Sequence, residues 1–246
     1  MAVRAETDGE PTPFWKQRGW ILAAGFLATV LIVSLFSAVT GDRDNNTGPA
    51  SASVKGPLAG AVVPSTGRPK GCRTDDGTSA EPKAAPQDLK WRTVGGTQVP
   101  TSPSAGPTQS SGPLLWCFAH TPMGAVLAAH VIPAQMTSPA WREAVDGQVV
   151  AGFGRDLFAA QRATLSDRGL RTGKPGRYMG FALTNYDDKS AKVDLLIKSS
   201  RGSLATTTVS LRWSTGDWKI EPGNDGGLHS GLDAVSSADG FVPWRA

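Results

Sequence analysis

The longest uninterrupted apolar segment of the chain covers residues 20–40, and it contains no charged side chain. At about 1.5 Å of rise per residue, a helix of this length crosses a hydrocarbon core about 30 Å thick. Trp15 and Trp20 lie where aromatic side chains commonly mark a membrane interface. The pattern therefore predicts a single transmembrane helix over residues 20–40.

The charges beside this segment predict its orientation. Lys16 and Arg18 precede it, whereas the Asp-Arg-Asp sequence at 42–44 adds no net positive charge. Because positively charged flanks stay in the cytoplasm, we expect a cytoplasmic tail over residues 1–19 and the rest of the chain outside the cell membrane. A cleaved signal peptide is the alternative, although the apolar run is long for one. Both interpretations send the C-terminal part to the same side.

Residues 41–113 consist mainly of Gly, Pro, Ser, Thr and Ala. Such a composition buries too little apolar surface to offset the entropy lost on ordering the chain. It predicts an extracytoplasmic linker. The one apolar patch within it is 88–99, DLKWRTVGGTQV, where Trp91 and Val94 are candidates for an edge strand.

Helical periodicity begins after a short apolar segment at 114–119. Thr121 is a suitable N-cap residue and Pro122 suits the first helical position, which predicts a helix that ends near Pro133. Ser138 and Pro139 repeat this start signal for a second helix. Apolar residues from 153 to 165 predict a third.

From residue 178 onward, apolar and polar residues alternate, which is typical of strands. The predicted strands cover residues 178–186, 191–199, 204–213 and 218–221. We expect an α+β fold class over residues 114–222, in which two to three helices pack on a curved antiparallel sheet of about four strands. Residues 223–246 are rich in Gly and Ser and are predicted to form a flexible C-terminal tail.

Cys72 and Cys117 are the only two cysteines of the chain, and both lie on the predicted outer side. In an oxidising compartment two such residues commonly pair, so we predict a disulfide between them. The alternative is two buried or unpaired thiols.

The order of helices and antiparallel strands, behind one membrane anchor and a Pro/Gly-rich stalk, resembles the bitopic inner-membrane assembly subunit of type IV secretion and conjugation systems. The segments that carry the resemblance are 118–131, FAHTPMGAVLAAHV, and 206–222, TTTVSLRWSTGDWKIEP. The first segment is also similar to uncharacterised membrane-anchored proteins of high-GC Gram-positive bacteria. The resemblance implies a cone-like outer domain of the nuclear-transport-factor-2 type, without catalytic residues.

Some proteins with such a cone-like fold are enzymes with acidic, His or Tyr groups at a pocket. The corresponding candidates are His130, Tyr178 and Asp194, although His130 lies on an apolar helix face where a hydrogen-bonded core histidine is expected. Cys117 and His120 suggest a thiol nucleophile. An oxidised sulfur cannot attack, so the predicted disulfide argues against that pair.

The remaining chemistry of the sequence is sparse. The net charge is +4, and Lys and Arg form no block interleaved with aromatic residues, so we expect no nucleic-acid binding. The spacing of His and Cys matches no metal site, and phosphate-binding and hydrolase motifs are absent from the sequence. We therefore predict a protein that is not an enzyme and has no cofactor.

Large aromatic side chains outside the membrane are candidates for contacts with partners. The candidate interface residues are Trp213, Trp218, Phe241 and Trp244. The two C-terminal ones end a polar tail, so they either dock back onto the domain or bind a partner. The resulting hypothesis is a membrane-anchored scaffold subunit of a conjugation or secretion-like envelope complex, which forms a homo-oligomer and contacts other subunits. The alternative is an extracytoplasmic module that binds a small molecule or envelope component in a cone-fold pocket.

Overall fold

The computed structural model describes residues 67–166 and 176–244, all within the compact unit Val54–Ala246. These residues form ten strands and three helices. The first strands are β1 (Lys90–Val94), β2 (Thr97–Thr101), β3 (Gln109–Ser111) and β4 (Leu114–Trp116). The helices are α1 (Pro122–Gln135), α2 (Trp141–Gln148) and α3 (Phe153–Ala163). The remaining strands are β5 (Arg177–Tyr186), β6 (Ser190–Lys198), β7 (Leu204–Ser214), β8 (Asp217–Ile220), β9 (Asp233–Val235) and β10 (Val242–Pro243).

The predicted fold class is wrong, because the described residues are mostly β structure around a sheet of six strands rather than four. Strands β10, β5, β6, β7 and β8 lie side by side in that order, and β9 pairs with β7 beyond the end of β8. All of these pairs are antiparallel. Two further two-stranded sheets, β1–β2 and β3–β4, precede the helices.

The extra strands arise where composition predicts a linker and a tail. Strands β1 to β3 lie within residues 41–113, and β9 and β10 lie within residues 223–246. Each has two to five residues and little apolar alternation. Such strands are held by their partners in the folded domain rather than by local preference, which explains why the sequence pattern misses them.

Helix α1 is the centre of the core. Its N-terminus is capped by the Thr121 hydroxyl, which accepts the Gly124 amide hydrogen bond at 3.1 Å, as the sequence predicts. Twelve of its fourteen residues are buried, and four of these are alanines, so strands and helices approach it on all sides. The helix contacts β2, β5, β6, β7 and β8. It is the element that unites the main sheet with the hairpin formed by β1 and β2.

Helix α3 is a peripheral element by comparison. Only Ala159 and Arg162 are buried in it. Phe153 at its first position is 72% exposed, and Leu165 just beyond its end is 53% exposed. At 100° per residue, Phe153 and Ala160 lie on the face opposite to Arg162, so this helix directs apolar surface outward.

The predicted membrane span and cytoplasmic tail lie outside the described residues. Among the residues that the structure describes, no helix is both long enough and apolar enough to cross a bilayer.

Candidate functional site

An aromatic cleft opens between the β1–β2 hairpin and the edge of the main sheet. We use this name for the depression of about 320 Å³ lined by Trp91, Gln98, Arg177, Tyr178, Met179 and Trp244. Side chains from β1, β2, β5 and the C-terminal segment meet there, although they are far apart in the sequence.

The C-terminal segment forms one wall of the cleft. Strand β10 pairs with Phe181 and Gly180 of β5, and the Trp244 amide then donates to the Met179 carbonyl oxygen at 2.9 Å. The Trp244 side chain is 6% exposed and packs against Phe181, with ring centroids 4.7 Å apart. Residues 241–244 thus dock back onto their own domain.

His130 of α1 lies directly behind Trp244. Its Nδ1 is 2.8 Å from the Val126 carbonyl oxygen, and its Nε2 is 3.0 Å from the Trp244 Nε1. A carbonyl only accepts and an indole N–H only donates, so the ring carries its proton on Nδ1 and is neutral. Burial lowers the pKa of His130 to about 4, against a smaller raising effect of the hydrogen bond to Val126. Both nitrogens are occupied, which makes His130 a core histidine and leaves no free nitrogen for a catalytic base.

Tyr178 connects this buried pair to the cleft. Its ring contacts His130 edge to face, with centroids 4.6 Å apart. Burial raises the pKa of Tyr178 to about 12, so its phenol stays neutral over the physiological range. It contributes an uncharged aromatic wall.

Trp91 is the exposed aromatic residue of the cleft. It is 37% exposed and meets Trp244 edge to face, with ring centroids 6.4 Å apart. A second depression of about 390 Å³ lies on its other side and includes Lys90, Arg92 and Thr101. Trp91 therefore forms a ridge between two depressions.

The structure brings together only some of the predicted residues. His130, Tyr178 and Trp244 meet, whereas Asp194 lies in the middle of the sheet and accepts a hydrogen bond from the Thr208 hydroxyl at 2.6 Å. Gln98 and Arg177 were not among the predicted site residues. Trp91, within the apolar patch at 88–99, was the available signal for this surface.

A second cluster surrounds the disulfide. Cys72 and Cys117 are bonded, as predicted, with Cα atoms 5.4 Å apart. His120 stacks on Trp213 with centroids 3.8 Å apart, and its Nε2 is 2.7 Å from the Asp188 carbonyl oxygen. His120 has a structural contact, and Cys117 has no free thiol to serve as a nucleophile.

Asp217 organises the backbone next to this disulfide. Its carboxylate accepts from the amides of Cys117 at 2.8 Å and Phe118 at 2.9 Å, and also from the amide of Trp218. Burial raises the pKa of Asp217 to about 6, although these donors and Arg68 act in the opposite direction. The left-handed conformation of Cys117, with φ of 72°, is held by this arrangement.

The four candidate interface residues have different environments. Trp218 is completely buried, and its indole donates to the Ala119 carbonyl oxygen at 3.0 Å. Trp213 and Phe241 are half-buried, and Trp244 belongs to the cleft wall. Among the described residues, no group of His, Cys, Asp and Glu is arranged to hold a metal ion.

A family model described as a domain of unknown function, DUF8175, matches residues 53–243, which is more than half of the chain. The chain belongs to the DUF8175 family. The matched region of the DUF8175 domain begins inside the segment predicted as a linker and ends in β10, so it contains both the β1–β2 hairpin and most of the C-terminal segment. No match to the chain was found among the curated proteins or the solved structures.

Proposed function

We propose that this protein is a membrane-anchored, non-enzymatic subunit that helps to assemble an envelope complex of the conjugation or secretion type. The chargeless segment 20–40, with Lys16 and Arg18 before it, supports anchoring with the DUF8175 domain outside the cell membrane. The disulfide between Cys72 and Cys117 supports the same location, because such bonds persist in oxidising compartments.

The observation that carries the assembly role is the outward apolar face of α3. Phe153 and Leu165 are two of the four large apolar side chains that the described residues leave exposed. Helix α3 also lines a cleft of about 190 Å³ with α2, and this cleft combines apolar and charged side chains. It is lined by Trp141, Arg142, Val145, Asp146, Arg155, Asp156, Ala159, Ala160 and Ala163. An apolar patch with a polar rim is a common form of protein interface.

Sizing the full-length protein in detergent tests this role. We expect a particle that contains more than one copy or a copurifying envelope subunit, and we expect Phe153→Ser to disrupt it. Leu232→Ser is the matched control, because Leu232 is similarly exposed, at 65%, but lies outside α3. A strict monomer that copurifies with nothing would contradict the proposal.

Protease treatment of intact cells tests the location separately. With the peptidoglycan made permeable, the C-terminal domain is expected to be digested from outside while residues 1–19 remain protected. A C-terminal domain that is fully protected and recovered in the cytosolic fraction would exclude an extracytoplasmic role.

The aromatic cleft favours a second candidate function, the binding of an envelope component. Trp91 presents an exposed ring there, and Arg177 makes no ion pair or side-chain hydrogen bond with any described residue. Pockets that combine aromatic walls with a few polar groups are typical ligand sites. This function and the assembly role use different surfaces, so they are separable by mutation.

A further inference from the structure

We propose that the aromatic cleft and the depression on the other side of Trp91 together bind an acidic polysaccharide of the envelope. This inference deepens the second candidate function and depends on it. It adds the chemical class of the ligand and the residues that recognise it.

The first support is the shape of the surface. Depressions of about 320 Å³ and about 390 Å³ share Trp91 as their common wall. A compact ligand fills one pocket, whereas an extended chain can occupy both and cross the ridge between them. The geometry points to a linear polymer.

The second support is the positive charge along this path. Arg177 lies in the first depression, and Lys90 and Arg92 lie in the second. All three are exposed, and none has an ion pair or side-chain hydrogen bond within the part of the chain that the structure describes. Cations without partners along a groove attract an anionic ligand.

A like-charged pair strengthens this argument. Arg177 of β5 lies directly opposite Lys198 of β6, and both side chains are exposed. Like charges that face each other across two strands destabilise a sheet. An anion bound at this end of the sheet would relieve that repulsion.

The third support is the ring of Trp91. The C–H groups on the face of a pyranose ring carry slight positive charge, and the face of an indole is negative, so the two attract. The carboxylate of an acidic sugar matches the planar guanidinium of Arg177, which forms two parallel hydrogen bonds with such a group. Gln98 adds a carboxamide for hydroxyl groups.

Other anionic polymers fit these features less well. A polyol phosphate has charge but no flat apolar ring for Trp91. Single-stranded nucleic acid has both, but it is normally held by several stacking platforms in succession. Trp91 is the one exposed tryptophan among the described residues, so an acidic polysaccharide is the better match.

Calorimetric titration of the full-length protein in detergent tests this inference. The probe is a hexasaccharide of alternating glucuronic acid and N-acetylglucosamine, and its carboxyl methyl ester is the uncharged control. We expect the acidic probe to bind and the ester to bind about tenfold more weakly, as loss of a charge-assisted hydrogen bond predicts. Equal affinity for both, or no binding of the acidic probe, would overturn the proposal.

Two variants locate the site. Arg177→Gln and Trp91→Ala should each weaken binding by about tenfold. The controls are Lys192→Gln, an exposed cation about 20 Å from Lys198 along β6, and Leu232→Ala, an exposed apolar residue outside both depressions. Because Trp91 and Arg177 are exposed, both variants should shift the unfolding midpoint only slightly, which separates lost contacts from lost folding.

A thymidine decanucleotide and a polyglycerol phosphate of similar length form the remaining arms. Tighter binding of either one than of the hexasaccharide would refute the choice of a sugar polymer. Phe153→Ser in the sizing experiment reports on the assembly role alone, so failure of one proposal is distinguishable from failure of the other.

Discussion

The segment before α1 and the segment after β8 are both polar, and both are fastened to the same core, but by different means. The N-terminal segment is attached covalently through Cys72 and Cys117, next to the buried carboxylate of Asp217. The C-terminal segment has no covalent link to the core and is held by β9 on β7, by β10 on β5 and by the Trp244 side chain, which reaches His130. A segment with few apolar residues thus becomes part of a domain through a small number of well-placed contacts.

The two attachments respond differently to conditions. A disulfide resists heat and acid but is lost on reduction, whereas a buried aromatic anchor with a neutral histidine partner is insensitive to reduction and sensitive to acid. Reduction and acid should therefore affect the two attachments differently.

Removing the disulfide should have the largest effect on stability. With the two cysteines 45 positions apart in the sequence, the chain-entropy model gives a loss of about 4 kcal/mol in the free energy of unfolding for Cys72→Ala combined with Cys117→Ala. Denaturant unfolding of the full-length protein in detergent measures it. Reducing agent should destabilise the original protein and leave the double variant unchanged, and equal stability of the two proteins would contradict the prediction.

Trp244→Ala should cost about 3 kcal/mol in the free energy of unfolding, because it empties a buried aromatic site and removes the N–H that His130 accepts. The stability of Trp244→Phe should lie between those of the original protein and Trp244→Ala, since Phe keeps a ring but loses the hydrogen bond. Trp91→Ala, at a 37% exposed neighbour, is the control and should cost less than about 1 kcal/mol. A loss that small for Trp244→Ala would mean that the C-terminal anchor contributes little.

Acid should loosen the C-terminal attachment. Burial lowers the pKa of His130 from 6.5 to about 4, so the folded state prefers the neutral ring. The contribution of the neutral His130 ring to the free energy of unfolding is complete above pH 6.5. It decreases as the pH falls toward 4, and the loss is about 2 kcal/mol at pH 5. Hydrogen exchange at the Trp244 amide, corrected for the intrinsic rate, reports it. His130→Gln, which keeps an acceptor without titrating, should abolish the pH dependence.

The N-terminal attachment should have the opposite dependence on pH. Burial raises the pKa of Asp217 from 3.8 to about 6, so the folded state prefers the protonated carboxyl group. The contribution of this preference to the free energy of unfolding is complete below pH 3.8 and is lost as the pH rises through 6. The Cys117 amide, which donates to Asp217, is the reporter for hydrogen exchange. If acidification loosens the Cys117 and Trp244 amides in parallel, the two attachments are not independent.

Gly180→Ala should have the smallest effect. A Cβ at this position would lie 2.7 Å from the Val242 carbonyl oxygen, so β10 has to shift. We expect a loss of about 1 kcal/mol, with faster hydrogen exchange at Trp244 and no change at Cys117. Gly231→Ala is the matched control because its Cβ would meet nothing within 4 Å. Equal effects of the two substitutions would exclude crowding of β10 as the cause.

The sequence by itself determined the features that depend on neighbouring residues. The cap at Thr121 with Pro122 after it starts α1 where predicted. The tight turn between β7 and β8 has positive φ at Thr215 and Gly216, as a two-residue hairpin requires. The disulfide also followed from two cysteines on the predicted outer side, because pairing depends on compartment as much as on geometry.

Only the tertiary structure decided the size of the sheet and the composition of the cleft. Strand β10 has two residues and no local preference strong enough to identify it, yet Phe181 and His130 give Trp244 a place to bury. Trp91 and Arg177 are 86 positions apart in the sequence and meet at one cleft. Contacts of this kind depend on how distant segments pack, and patterns within one segment carry little information about them.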